Sequence, residues 1–228
     1  DDLLIDDTTV TVQRVVSAAT TTDTTDVAQS DLVTSDNGAI VVRSVTGHLT
    51  LSEGTASGAG QSVKADGTGH ILLHADKSVV INDQADIVSG RGHISVVAGK
   101  DITVNTDADI TSGDTGTLDM EATAGAIILS VNSHQTTGSG DIRLHAGTDM
   151  LLGGVVTTTG HVSATATQGW IRDVDTDSSV DIAANGLRLQ AAVGIGQLGK
   201  ATVNAIETEV AKVSASAGGE GINLLESN

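Results

Sequence analysis

Four aspartates that lie close together form the densest group of potential metal ligands in the sequence: Asp173, Asp175, Asp177 and Asp181. Carboxylate oxygens at alternate positions suit calcium, which prefers hard oxygen ligands. The glycine-rich nonapeptide of calcium-binding β-rolls is absent, so the preferred interpretation is a solvated acidic loop. The sequence therefore predicts no cofactor other than a possible calcium ion.

Three histidines share a local pattern, because His48, His70 and His93 each follow a glycine and precede an aliphatic residue. They are interpreted as one position in successive repeats, where they would form an outward ladder. Such a ladder could bind a transition metal or respond to pH near about 6. The preferred interpretation is a solvated turn position that accepts any polar residue, since Thr117 and Asp141 stand at equivalent places.

Trp170 is the single aromatic residue among Phe, Trp and Tyr. It precedes an inward Ile171, so we expect its ring on the outer surface, where it would contact a sugar or a partner or cover a neighbouring loop. Covering a loop is the preferred alternative.

Enzymes that cleave polysaccharides would need a basic residue beside acidic partners, and the candidates are Arg143, Arg172 and Arg188. No acidic cluster or Tyr or Phe platform accompanies them in the sequence. Nucleophile elbows, phosphate-binding loops and zinc spacings are also absent. We therefore expect a protein that is not an enzyme, with a polysaccharide lyase or hydrolase and a calcium-loaded β-roll as the alternatives.

A repeat determines how all these residues are positioned. Glycine, a polar residue, and then two aliphatic residues separated by one position, usually followed by alanine, recur at intervals of 20 to 24 residues. The first residues of the repeats are Gly47, Gly69, Gly92, Gly116, Gly140 and Gly160. Alternation at a period of two is typical of strands and cannot come from a helix. The sequence predicts an all-β solenoid with three short strands per coil, and about nine or ten coils for this length.

Composition agrees with a solenoid that has an aliphatic core. The 228 residues include no Phe, Tyr, Cys or Pro, and proline is excluded from strands that pair on both sides. Eleven Lys and Arg against 29 Asp and Glu give a net charge of −18, which repels phosphate backbones and anionic membranes. No run approaches the length of a membrane span. We expect neither nucleic-acid binding nor membrane insertion.

The whole of residues 1–228 reads as one solenoid segment with a polar excursion around residues 17–37. The chain begins at Asp1 without an initiator methionine or a signal peptide, which predicts processing or excision from a longer polypeptide. Both ends read as ordinary strands without caps. The predicted partners are therefore adjoining β-helix segments or further copies stacked end to end.

The tandem repeats, the stretch Gly169–Asp173 and the segment Leu187–Gly196 resemble filamentous-haemagglutinin-like giant bacterial adhesins and related surface proteins. The resemblance covers roughly residues 38–225. It implies a right-handed parallel β-helix, export to the bacterial surface or medium, and a role as the shaft of an adhesin or the subunit of an extracellular fibre, with host or surface glycans as possible ligands. The amino-terminal secretion module of that family is not evident, so the export route stays open.

Overall fold

The computed structural model of this chain describes residues 1–29, 31–54, 61–175, 178–199 and 204–227. Its regular structure in these ranges is entirely β. The strands in chain order are β1 (Leu3–Ile5), β2 (Thr11–Val15), β3 (Thr21–Thr25), β4 (Leu32–Thr34), β5 (Ile40–Ser44), β6 (Leu49–Leu51), β7 (Gln61–Ala65), β8 (Ile71–Ala75), β9 (Val79–Ile81), β10 (Asp86–Ser89), β11 (Ile94–Ala98), β12 (Ile102–Val104), β13 (Ile110–Ser112), β14 (Leu118–Ala122), β15 (Ile127–Leu129), β16 (His134–Thr137), β17 (Ile142–Ala146), β18 (Met150–Leu152), β19 (Val155–Thr157), β20 (His161–Ala166), β21 (Ile171–Asp173), β22 (Ile182–Ala191), β23 (Ile206–Ser216) and β24 (Leu224–Glu226).

The strands stack into three faces of parallel strands, which are in register apart from a shift between β7 and β10 at Asp86. The first face has the order β1-β6-β9-β12-β15-β18-β21. The second face has the order β5-β8-β11-β14-β17-β20-β22, and the third has β4-β7-β10-β13-β16-β19-β22, so that β22 belongs to both. Strand β23 pairs along β22, and β24 pairs with the start of β23. The prediction of a β-solenoid with three strands per coil is confirmed, with about 24 residues per coil.

The solenoid makes about six turns, fewer than the nine or ten predicted from chain length. Part of the difference is the first turn, from β1 to β6, which contains an antiparallel hairpin of β2 and β3. This hairpin is exposed and starts before residue 17, where the sequence placed the excursion. Residues Leu32–Thr34 then return to the third face.

Alternation of aliphatic and polar residues produces the core. In β11, Ile94, Val96 and Ala98 are buried, while the residues between them face outward and are half-buried. Ile94 pairs with Ile71 in the preceding coil and with Leu118 in the next one, so identical positions stack into aliphatic ladders. Burial of these ladders provides the main stabilisation of a chain that lacks large aromatic anchors.

Glycines recur at the corner before the second face because neighbouring coils approach closely there. A Cβ at Gly92 would overlap the carbonyl oxygen of Gly69, and one at Gly140 would overlap that of Gly116. Buried hydroxyls complete this corner: Ser112 Oγ donates to the Gly92 carbonyl at 2.7 Å. The repeated glycine therefore reflects close backbone contact between coils.

Candidate functional site

The residue immediately before the first inward residue of a strand, here called the entry position, has a repeated role in the stack. The first inward residue donates its N–H to the carbonyl of the entry residue one coil further on, as Ile71 does to His93 at 2.9 Å. At ten positions in the described structure the N–H of the entry residue bonds a side chain instead of a strand carbonyl, whereas Val155 in β19 donates to the Ser133 carbonyl at 2.9 Å. A backbone donor at the interface between coils needs an acceptor, and the side chain of the preceding entry residue supplies it.

Aspartate and histidine provide this acceptor on all three faces. The acceptor atom, Oδ or Nδ1, is bonded to Cγ in both residue types, so the two reach the same donor. Distances between donor nitrogen and acceptor run from 2.8 to 3.3 Å. The acceptor–donor pairs are Asp2–His48, His48–Ser78, His70–His93, Asp86–Asp109, His93–Thr117, Asp101–Ala126, Asp109–His134, Asp141–His161, Asp149–Trp170 and Asp181–Glu207.

The prediction that three histidines form one ladder is wrong for His48. His70 and His93 are entry residues of the second face and stack with ring centroids 5.0 Å apart. His48 precedes Leu49 on the first face, where its position matches Ser78. The interval from His48 to His70 resembles one coil in length although only β7 lies between β6 and β8. The reason is the spacing of the strands, since nine positions separate β6 from β7 and only four separate β9 from β10.

The hydrogen bonds also define the proton position on His70 and His93. Because Nδ1 accepts an N–H in each ring, the neutral imidazole carries its proton on Nε2. Binding a metal through Nε2 would move that proton to Nδ1 and remove the inter-coil hydrogen bond. The metal and pH alternatives stay predictions, and metal binding carries this cost.

The structure brings three of the four predicted calcium ligands together. Carboxylate oxygens of Asp173, Asp175 and Asp181 lie within 4.8 Å of one another, and Asp173 and Asp181 are buried. Two oxygens on opposite sides of one calcium ion would be about 5 Å apart, so the spacing is compatible with shared coordination. Asp177 lies outside the described residues.

A fourth acid, Glu207, belongs to the same buried group. Its backbone N–H donates to Asp181 Oδ2 at 2.9 Å, and the residue is 1% exposed. Burial first, and then repulsion from Asp173, Glu207 and Asp175, raises the pKa of Asp181 far above its usual range. The group therefore favours a bound proton or cation, and calcium stays a prediction.

Trp170 covers the neighbouring coil. Its ring occupies the space that a Cβ of Gly194 would need, and the Arg172 guanidinium lies over the ring at 4.4 Å from the centroid. The backbone N–H of Trp170 donates to Asp149 Oδ1 at 2.8 Å. Trp170 as a whole is half-buried.

Arg143 has the acidic partners that the sequence did not show. Its Nη1 donates to Asp119 at 2.7 Å and to Glu121 at 3.0 Å, both on the preceding coil of the second face. The hydrogen bond to Asp119 is the main reason that the pKa of Arg143 is raised. An alignment by coils would reveal this group, because Asp119 and Arg143 hold the same position one coil apart.

Side chains that point outward from the second face beyond Arg143 surround two open depressions. One, of about 560 Å³, includes Arg143, Ser163, Thr165 and Arg188 among its lining residues. The other, of about 520 Å³, shares Arg143, Ser163 and Arg188 with it and extends to Lys212.

Comparison of the chain with protein-family models, with curated proteins and with solved structures finds no match. The fold itself defines the class, a β-solenoid repeat protein. Within the described ranges, no helix has the length and apolarity needed to cross a bilayer.

Proposed function

We propose that this chain is a structural and adhesive protein of the bacterial surface or the extracellular medium, either the shaft of an adhesin or the subunit of a fibre. The observation that carries the proposal is the continuous stack of parallel strands on three faces. Each added coil brings a full set of hydrogen bonds and aliphatic contacts, so such a stack can be extended along one axis. The repeat pattern that resembles giant adhesins supports the extracellular setting.

Adjoining segments or further copies of the chain are the proposed partners. Among the described strands, β1, β4 and β5 pair on one side only. Leu3 is 41% exposed, whereas Leu49, at the same position one coil on, is fully buried. A stacked coil would pair these edges and cover this end of the core. The charge of −18 supports the exclusion of nucleic acid as a partner.

Electron microscopy and fibre diffraction of the purified protein, at low and at millimolar calcium, test the proposal. Uniform fibres with a meridional repeat of about 4.8 Å would identify a fibre subunit, and isolated short rods would identify a shaft. Round particles would contradict the proposal.

A non-catalytic role is part of this proposal, and Arg143 offers its sharpest test. The Arg143 group with Asp119 and Glu121 is the arrangement nearest to a polysaccharide-cleaving site on the second face. Turnover of an acidic polysaccharide by the native protein, abolished by Arg143→Ala, would contradict a purely structural and adhesive function.

A further inference from the structure

Arg188 is a cation with neutral neighbours in a strongly acidic protein. Its Nη1 donates to Ser163 Oγ at 3.3 Å and to Thr165 Oγ1 at 3.2 Å, and its Nη2 donates to the side-chain oxygen of Gln190. No carboxylate in the described part of the chain forms an ion pair with it. Arg143, one of the other arginines on this face, is neutralised by two acids. The charge of Arg188 is therefore available to an anionic ligand.

The surface around Arg188 has the shape of a shallow binding site. The short side chains of Ser163 and Thr165, here called the low rung, lie between the long side chains of Arg143 and Arg188. The strands that carry these two arginines lie two strand spacings apart, or about 10 Å. The two depressions that meet at this rung, of about 560 and 520 Å³, are in the size range of small-ligand sites.

A glycine extends this surface and adds a second cation. Gly186 occupies the entry position between His161 and Lys212 in the neighbouring coils. A Cβ there would meet His161 Cδ2 at 2.7 Å and Lys212 Cε at 2.9 Å. The missing side chain lets the imidazole and the lysine stem approach each other, and both line the depression next to Arg188.

We propose that this surface binds an acidic oligosaccharide built of uronic-acid units. A carboxylate of the sugar would lie at the Arg188 and Lys212 end, because three acids repel it from the Arg143 end: Asp119 and Glu121, which pair with Arg143, and Asp141, which lines the depression and lies 3.3 Å from His161 Nδ1. The hydroxyls of Ser163 and Thr165, the amide of Gln190 and the imidazole of His161 offer hydrogen bonds to sugar hydroxyls.

The second face favours a sugar over other anionic polymers. A peptide would normally add a strand at a sheet edge, but here the backbone groups of β17, β20 and β22 already pair on both sides. The net charge of −18 opposes a long polyanion such as nucleic acid, which would extend over the acidic surface, whereas a short oligosaccharide stays at the depressions lined by Arg188 and Lys212. The inference adds a ligand to the proposed adhesive shaft and rests on it only for the extracellular setting.

Calorimetric titration of the full chain with a tetramer of galacturonic acid, beside a neutral tetramer of galactose, tests the inference. We expect binding of the acidic tetramer alone, weakened by salt and reduced about tenfold or more by Arg188→Ala. Arg91→Ala is the matched control, because Arg91 is an exposed arginine with a single 3.9 Å contact to Asp114.

A second pair of variants tests the low rung without changing charge. Ser163→Leu should fill the depression and abolish binding, whereas Ser95→Leu, at the same ladder position three coils earlier, should leave it unchanged. Circular dichroism verifies the fold of each variant. Equal affinity for both tetramers, no binding of the acidic tetramer by the native chain, or unchanged binding in both Arg188→Ala and Ser163→Leu would overturn the inference. Rod formation seen by microscopy is a separate result, so its failure is distinguishable from this one.

Discussion

Aspartate and histidine are interchangeable at entry positions because both place an acceptor atom on Cγ. At ten such positions the entry N–H has no carbonyl partner in the parallel ladder, and the side chain from the preceding coil replaces it. A net hydrogen bond of this kind contributes about 1 kcal/mol. The polar residue of the repeat is therefore one whose acceptor atom, bonded to Cγ, reaches the N–H of the next coil.

His93 allows this to be tested with two substitutions. His93→Asn keeps an acceptor on Cγ, so its free energy of unfolding should lie within a few tenths of a kcal/mol of the native value. His93→Ala has no such acceptor, and its free energy of unfolding should be lower by about 1 kcal/mol. Urea denaturation of both variants measures the difference. Equal losses in the two variants would show that the Nδ1 acceptor contributes nothing.

The raised pKa of Asp86 predicts how the stability of the protein depends on pH. Burial raises the pKa of Asp86 from 3.8 to about 6, so the folded state holds its proton more tightly than the unfolded state does. Its contribution to stability is greatest below pH 3.8 and is lost as the pH rises from there through about 6.

Asp86→Asn removes this titration and keeps an oxygen that accepts the Asp109 N–H. The variant should be more stable than the native protein at neutral pH, and its advantage should disappear as the pH falls toward 4. Melting temperatures across this range test it. A difference that stays constant with pH would contradict the assignment.

At the scale of the strand and its corner, the repeated glycine allows coils to stack at the spacing of a sheet. A methyl group at Gly92 would overlap the backbone oxygen of Gly69, and backbone cannot move aside without shifting a whole coil. Gly219 is different, because a Cβ there would meet nothing within 4 Å.

The two glycines give a matched pair of variants. Gly92→Ala should destabilise the protein by about 2 to 3 kcal/mol or prevent folding, because it overpacks a fixed contact, whereas Gly219→Ala should be nearly neutral. Chemical denaturation of both variants compares them. Tolerance of alanine at Gly92 would mean that the coils are not packed as closely at this corner as described.

Strand type and inward positions were predictable because they depend on local alternation, as in Ile94–Ala98. The face to which a strand belongs was less predictable, because it depends on the lengths of all the preceding connections. His48 shows this, because nine positions separate β6 from β7 but only four separate β9 from β10, so the apparent period joins strands of two different faces. To predict the Arg143 group and the neutral neighbours of Arg188, one must also know which residues align in neighbouring coils. A count of repeats alone does not supply that alignment.

For the whole molecule, stability should vary along the chain. Strands β11 and β14 pair on both sides and enclose buried ladders, whereas the hairpin of β2 and β3 is exposed and its strands pair with each other alone in the described structure. Local opening therefore costs little in the hairpin and approaches the global free energy of unfolding in the central coils.

Hydrogen exchange gives the corresponding prediction. Amides of Ile94–Ala98 and Leu118–Ala122 should exchange orders of magnitude more slowly than those of Thr11–Val15 and Thr21–Thr25. Mass spectrometry of peptides covering these strands measures the rates. Uniform protection over all four strands would indicate that the hairpin belongs to the same cooperative unit as the solenoid.

The hydrogen bonds between coils run parallel to the long axis, and this direction has a mechanical consequence. A pulling force applied through the chain ends acts along these bonds and peels the terminal coil from its neighbour, so the rod should yield one coil at a time. Each step would release about 24 residues, or roughly 80 Å of extended chain. A shaft built in this way would act as a tether that absorbs a sudden load by lengthening in discrete steps.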